Sequence, residues 1–274
     1  MVLSDLEFPG RTAVISGAAR GQGLSHALEF ARRGANVVLI DAPGPGLGTV
    51  PYPLSTAEDL REAEARVRDA GPGEVRSYAV DVRDAQGVRD AVDQAAQDLG
   101  GIDIVVANAG VFSFAENTWS IPVETWKECV DTILLGSWTL ASACIPHMMG
   151  RAGANLIFIG SVSAHKGIGA TAHYVAAKHG VVGLMRSLAL ELAPHAIRAN
   201  LISPTATRTT MATNPAMEEC VKFQEANGSN MSNLLDVDLL EPQDVTEAIV
   251  WVASERARYM TGSEIRVDAG FTTR

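Results

Sequence analysis

Thr12-Ala-Val-Ile-Ser16 runs straight into Gly17-Ala-Ala-Arg20-Gly21-Gln22-Gly23-Leu24, and this junction decides the fold. The first part reads as a short buried strand, and the glycines punctuate a turn before a helical pattern over 22–33. Gly17 permits the tight turn, Gly21 lets the backbone approach a pyrophosphate, and Gly23 allows close helix–strand packing. Free N–H groups at the positive end of the helix would then receive the anion. Arg20, Gln22 and Leu24 complete the candidate binding set, Arg20 being able to reach phosphate. The spacing G-x-x-x-G-x-G departs from the usual G-x-G-x-x-G, so the trio taken alone fits a tight turn without ligand equally well.

Working outward, short apolar runs alternate with longer helical patterns to both ends. Thr12–Ser16, Asn36–Asp41, Val75–Ala79, Ile104–Ala107, Asn155–Ile159, Ile197–Ile202 and Glu264–Val267 read as strands. Helices are expected near 22–33, 56–70, 84–98, 122–149, 171–193 and 242–254. Near-continuous Val, Ile and Leu in the strands is the mark of a parallel sheet covered on both faces. The alternation predicts an α/β fold, a seven-stranded, parallel, doubly wound sheet with right-handed crossovers. Ligands then bind beyond the carboxyl ends of the strands, at the switch point.

Asp41 closes the second strand at roughly the ~20-residue spacing that puts a carboxylate on the adenosine ribose. It would accept hydrogen bonds from both ribose hydroxyls and repel a 2′-phosphate, which favours NAD over NADP. Tyr174 and Lys178 lie at i and i+4, on one helix face, with Ser161 shortly before them. An ammonium beside a phenol favours the phenolate and draws its pKa from ~10 toward neutrality, where it works as acid and base.

The 274 residues are 47% hydrophobic and 20% charged, which suits one large α/β domain with a substantial core. A net charge of −10 argues against nucleic acid or an anionic membrane as partner. No apolar run reaches the ~18 residues of a membrane span, and no signal-peptide layout opens the chain. Cys129, Cys144 and Cys220 are widely spaced and odd in number, as expected of reduced, buried thiols in a cytoplasmic protein. His26, His147, His165, His173, His179 and His195 form no ligand array, so no metal site is expected.

Two stretches break the rhythm. Residues 42–55 hold prolines at 43, 45, 51 and 53 where a βα connection needs only ~2–6 residues, and read as a semi-rigid covering loop or a tolerated insertion. Residues 204–240 have poor periodicity and read as a mobile lid over the substrate end, with a short helix near 215–226.

Jointly these residues resemble the short-chain dehydrogenase/reductase family over nearly the whole chain. The resemblance implies a single-domain Rossmann fold over 1–274. It assigns the glycine motif to Gly17, Gly21 and Gly23, the ribose ligand to Asp41, and the adenine side to Asp81 and Val82. The turn after the fourth strand is Asn108-Ala109-Gly110. Catalysis falls to Ser161, Tyr174 and Lys178, the last two also touching the cofactor. Pro204-Thr205 stands for a Pro-Gly pair, Thr209 for a contact to the nicotinamide amide, and Met211 joins the cofactor contacts. Val267-Asp-Ala-Gly270 resembles a last strand that commonly lies in a homotetramer interface.

A narrower likeness is to the mycofactocin-associated branch, often labelled carveol dehydrogenases. It rests on 17–23, Val50-Pro-Tyr-Pro-Leu54, His173 to Met185, and Ala257 to Gly262. It implies an insertion that shields NAD from exchange, a nicotinoprotein reoxidised by an external carrier, mycofactocin. One departure is Ile133, where the family places an asparagine that holds a water linking the lysine to solvent.

The expected chemistry is oxidation of a secondary alcohol held between Ser161 and Tyr174. The substrate pocket is expected from 111–117, 162–168 and 205–235, lined by Phe112, Phe114, Met211, Met217 and Leu234. A terpenoid-like alcohol such as carveol is implied by the resemblance alone. A freely exchanging NAD(H) ketoreductase and a non-catalytic NAD-binding sensor remain open. Trp119, Trp126, Trp138 and Trp251 read as packing and interface residues.

Overall fold

The computed structural model describes residues 7–44 and 46–273; Pro45, one of the insertion's prolines, lies outside the described residues. Its frame is seven parallel strands: β1 (Thr12–Ser16), β2 (Asn36–Asp41), β3 (Val75–Ala79), β4 (Ile104–Ala107), β5 (Asn155–Ile159), β6 (Arg198–Pro204) and β7 (Glu264–Val267). They are ordered β3-β2-β1-β4-β5-β6-β7, so the sheet reverses its direction of growth between β1 and β4. The strand expected over Ile197–Ile202 extends to Pro204, because Ser203 and Pro204 still pair with Arg266 and Val267 of β7.

Successive strand side chains point to opposite faces, and both faces are covered. That is why the strands read as continuous apolar runs. Ile15, Leu39 and Val106 pack against α1 (Gly21–Arg32), α2 (Ala57–Ala70) and α8 (Pro242–Ala253), through residues such as Phe30, Val67 and Ile249. Val14, Val105 and Phe158 pack on the other side, against α3 (Ala85–Leu99), α4 (Val123–Val130), α5 (Gly136–Met148) and α6 (Ala172–Leu192).

Helix starts follow local chemistry. Thr56 and Asp59 form a reciprocal capping box on α2, and the Asp84 carboxylate accepts the Gly87 N–H on α3. The helix expected over 122–149 runs over Val123–Met148 and contains a change of winding. Asp131–Leu135 winds as a π turn between α4 and α5, and the Ser137 hydroxyl donates to the Ile133 carbonyl. Gly136 lies where a Cβ would stand 2.6 Å from Val82, so the chain presses closely on the loop after β3 at this turn. Taken end to end, Val123–Met148 is long and apolar enough to cross a bilayer, yet 56% of its apolar window is buried within the fold. Within 204–240 the helix expected near 215–226 is α7 (Pro215–Ala226), begun by Asn214, whose side chain accepts the Met217 N–H.

Candidate active site

A cavity of about 610 Å³ opens where β1 and β4 part, at the carboxyl ends of the strands. The turn after β1 forms its floor. Gly17 adopts a left-handed φ of +65°, and a Cβ there would lie 2.9 Å from the Asn108 amide nitrogen. That amide donates to the Ser16 and Gly17 carbonyls at 2.8 and 3.2 Å, stitching the turn after β4 to the turn after β1. Gly23 is the closest approach: a Cβ would fall 2.1 Å from the Gly17 carbonyl oxygen. Gly23 therefore acts through packing, and neither it nor the buried Leu24 lines the cavity. Gly17, Arg20, Gly21, Gln22, Asn108, Ala109 and Gly110 do line it.

These residues fit a dinucleotide. Among the described residues no side chain caps α1, and its first turn holds no acidic residue, so its leading N–H groups are open to an anion. The Gln22 side-chain oxygen and the Thr132 hydroxyl are buried without a described partner, and both residues line the cavity. Asp41 faces the same space, accepting the Ala19 N–H at 2.8 Å and the Ser55 hydroxyl at 2.5 Å. Asp81 and Val82 also line it. Burial opposes ionisation of Asp81, but hydrogen bonds from the Arg83 guanidinium outweigh it and hold the carboxyl below the usual range.

The insertion over 42–55 is fastened across the mouth. The Arg20 guanidinium donates to the Pro53 carbonyl, and that of Arg83 to Gly46 at 2.9 Å. Glu128 on α4 accepts the N–H groups of Gly48 and Thr49 at 3.0 Å and the Thr49 hydroxyl. The Tyr52 hydroxyl accepts the Phe112 N–H at 2.9 Å, so a buried phenol couples the insertion to the loop after β4.

Ser161, Tyr174 and Lys178 share this cavity. Ser161 sits just past β5, where its hydroxyl accepts the Ser163 N–H at 3.2 Å and bonds the Tyr174 hydroxyl. Tyr174 and Lys178 lie one turn apart on α6, with the ammonium 5.7 Å from the phenol ring centroid. Lys178 donates to the Ile159 carbonyl at 2.8 Å. The expected fall of the tyrosine pKa is not met. Burial pushes Tyr174 up to about 12, against the lowering pull of Ser161, and pulls Lys178 down to about 8. Both shifts follow from stripping water from the charged form.

Ile133 is buried, and its side chain lies 3.6 Å from where a Gly110 Cβ would stand, a position itself 3.9 Å from the Lys178 ammonium. Ile133 and the Lys178 ammonium therefore both border Gly110.

At the far end Pro204, Thr205, Thr209, Met211, Met217 and Phe112 line the cavity. Two expected lining residues do not. Phe114 turns into a second cavity with His173 and Pro122, and Leu234 is half exposed because its backbone is tied to Ala269. Tyr52, Thr132 and Phe271 line the site without having been singled out for it, whereas Asn233 falls within the expected 205–235 segment; Thr132 stands in the helix expected over 122–149, and Tyr52 and Phe271 come from irregular segments. His165 is paired with Glu264, and His173 shares a 2.9 Å hydrogen bond with Ser113, so both have protein partners. Among the described residues no group of three or more His, Cys, Asp or Glu side chains is placed to hold a metal ion.

Comparison with known proteins agrees with this architecture. The profile of a family described as enoyl-(acyl carrier protein) reductase matches residues 17–272. A (-)-trans-carveol dehydrogenase of Rhodococcus erythropolis is 42% identical, covering 96% of this chain and 98% of its own. Among solved structures, carveol dehydrogenase from Mycobacterium avium in complex with NAD superposes with a TM-score of 0.92 at 38% identity, covering 98% and 99% of the two chains. A short chain dehydrogenase from Mycobacterium paratuberculosis bound to NAD gives 0.91 at 34% identity, covering 98% and 100%. With near-complete coverage by profile, relatives and fold, the chain belongs to the short-chain dehydrogenase/reductase family.

Proposed function

We propose that this protein is an NAD-dependent oxidoreductase that interconverts a hydrophobic secondary alcohol and its ketone, the substrate being terpenoid-like, of the carveol type. One observation carries the reading: Ser161, Tyr174 and Lys178 open on the same cavity as the uncapped start of α1 and the Asp41 carboxylate. The likeness to carveol dehydrogenases and to NAD-bound structures supports the choice of substrate and cofactor.

Gly17, Arg20, Gly21 and Gln22 hold the pyrophosphate at the head of α1, and Asp41 holds the adenosine ribose. Asp81, Val82, Asn108, Ala109 and Gly110 flank it, with Pro204, Thr205, Thr209 and Met211 at the nicotinamide end. When bound, NAD supplies the hydride acceptor or donor. Ser161 holds the substrate oxygen and stabilises charge developing on it. Tyr174 takes the proton of the substrate hydroxyl. Lys178, fixed on the Ile159 carbonyl, is the chain's own cation for favouring the phenolate. Ile133 offers no polar side-chain atom beside that lysine, so proton release to solvent is slow.

The fastened insertion holds NAD tightly, and regeneration falls to an external redox carrier of the mycofactocin type. The protein works in the cytoplasm as a homotetramer, in keeping with three free, buried thiols and with exposed Leu135, Trp138, Leu190 and Trp251. The test is to purify the protein, assay retained NAD after dialysis, and compare alcohol oxidation driven by added NAD with oxidation driven by an artificial acceptor. Retained NAD and acceptor-driven turnover are expected. Turnover driven only by added NAD would mark a freely exchanging enzyme, and no turnover with either would mark a sensor.

A further inference from the structure

We infer that the turn after β7, Asp268 to Thr273, is the size filter of the substrate cavity, with Phe271 as the residue that decides how large a ring enters. This rests on the alcohol–ketone reading of the same cavity. Phe271 comes from outside every segment expected to line the pocket, yet it is only 4% exposed and lines the cavity beside Ile168 and Met231. The Lys166 ammonium stands 5.2 Å from its ring centroid and holds the ring in place.

The turn that presents Phe271 is firmly built. The Asp268 carboxylate accepts the N–H groups of Gly270 and Thr272, each at 3.0 Å, and the Thr272 hydroxyl. Ala269 and Gly270 are both left-handed, with φ of +47° and +79°. This conformation aims the Ala269 carbonyl at the cavity's outer wall, where it accepts the Leu234 and Leu235 N–H groups at 2.9 and 3.0 Å. That wall, 229–239, has no helix or strand of its own. Further support comes from Asn233, which accepts the Thr205 hydroxyl at 3.0 Å, from the Ser229 N–H, which donates to the Gln224 carbonyl at 2.9 Å, and from Val237, which packs on the core. The turn is therefore one of the anchors of the wall.

Met211 and Met217 line the same space with unbranched side chains that repack around different shapes. Phe271 is rigid and anchored. Between adaptable methionines and a fixed aromatic ring, the fixed ring sets the limit on substrate size.

The test uses the NAD-loaded protein and calorimetric titration with two ketones, cyclohexanone and the bulkier bicyclic camphor. Phe271→Ala should improve the affinity for camphor relative to cyclohexanone by about tenfold or more, since a missing hydrophobic group is worth at least that much. Phe271→Trp should move the ratio the other way. Thermal unfolding and bound-NAD content check that each variant is folded; if Phe271→Ala is not, Phe271→Leu should give a smaller shift of the same sign. An unchanged ratio in the folded variants overturns the inference while leaving the alcohol–ketone reading intact. A size-dependent ratio without any turnover in the unaltered protein supports the filter and defeats that reading. If neither ketone binds the unaltered protein, both fail.

Discussion

Tyr174 and Lys178 face opposite titration problems in one cavity, because burial raises the phenol to about 12 and lowers the ammonium to about 8. Ser161 is the only partner that bonds the phenol oxygen in the described structure. Tyr174→Phe should therefore cut kcat by about 10²- to 10⁴-fold while sparing NAD content, as measured by acceptor-driven alcohol oxidation. Lys178 makes a separate, pH-dependent prediction for the cofactor-free protein. Between about 8 and its ordinary 10.5 it binds fewer protons folded than unfolded. Its burial penalty is then fully present below pH 8 and fades as pH rises through that window. The unfolding free energy of the unaltered protein, relative to Lys178→Met, should climb from pH 8 to 10.5 in urea titrations. A flat difference would mean that the lysine is not a buried charge. The identities of these residues were legible from spacing, but the direction of the tyrosine shift was not, since desolvation depends on what packs around α6.

Elements were read well where a single signal governs them. All seven strands and α7 stand where apolar runs and punctuation put them, because buried parallel strands need little beyond their own composition. The helix expected over 122–149 is present as Val123–Met148, but it carries a π turn at Asp131–Leu135, where the Ser137 hydroxyl bonds the Ile133 carbonyl and Gly136 closes on Val82. Nothing local announces that contact. The insertion was legible as stiff from its prolines, but its fastening depends on Arg20, Arg83 and Glu128, residues on three other segments. Glu128 lies outside the cavity and accepts three hydrogen bonds from the insertion. Glu128→Ala should therefore speed NAD loss on dialysis by about tenfold or more, the scale expected when hydrogen bonds to a charged acceptor are removed. Retention equal to that of the unaltered protein would show that the insertion does not hold the cofactor through this contact.

Several large apolar side chains remain on the surface once both faces of the sheet are covered. Leu135, Trp138 and Leu190 are exposed on the π turn, α5 and α6, and Trp251 on α8. The proposed tetramer would draw on such side chains, those of α5 and α6 lying on one side of the sheet and Trp251 on the other. The proposed tetramer should sediment as four chains, and Trp138→Glu should yield smaller species at the same concentration. Tetramers that persist in that variant would move the interface elsewhere. Apolar periodicity, glycine punctuation and the i, i+4 pairing of Tyr174 with Lys178 are short-range properties, so the amino-acid order alone specified the strands, most helices, the glycine turn and the reactive trio. The strand order, the π turn, the cross-ties of the insertion and the entry of Phe271 into the cavity join residues far apart in the chain. Such contacts form only when the layers pack, because their partners are chosen by burial and hydrogen-bond completion and not by neighbouring sequence.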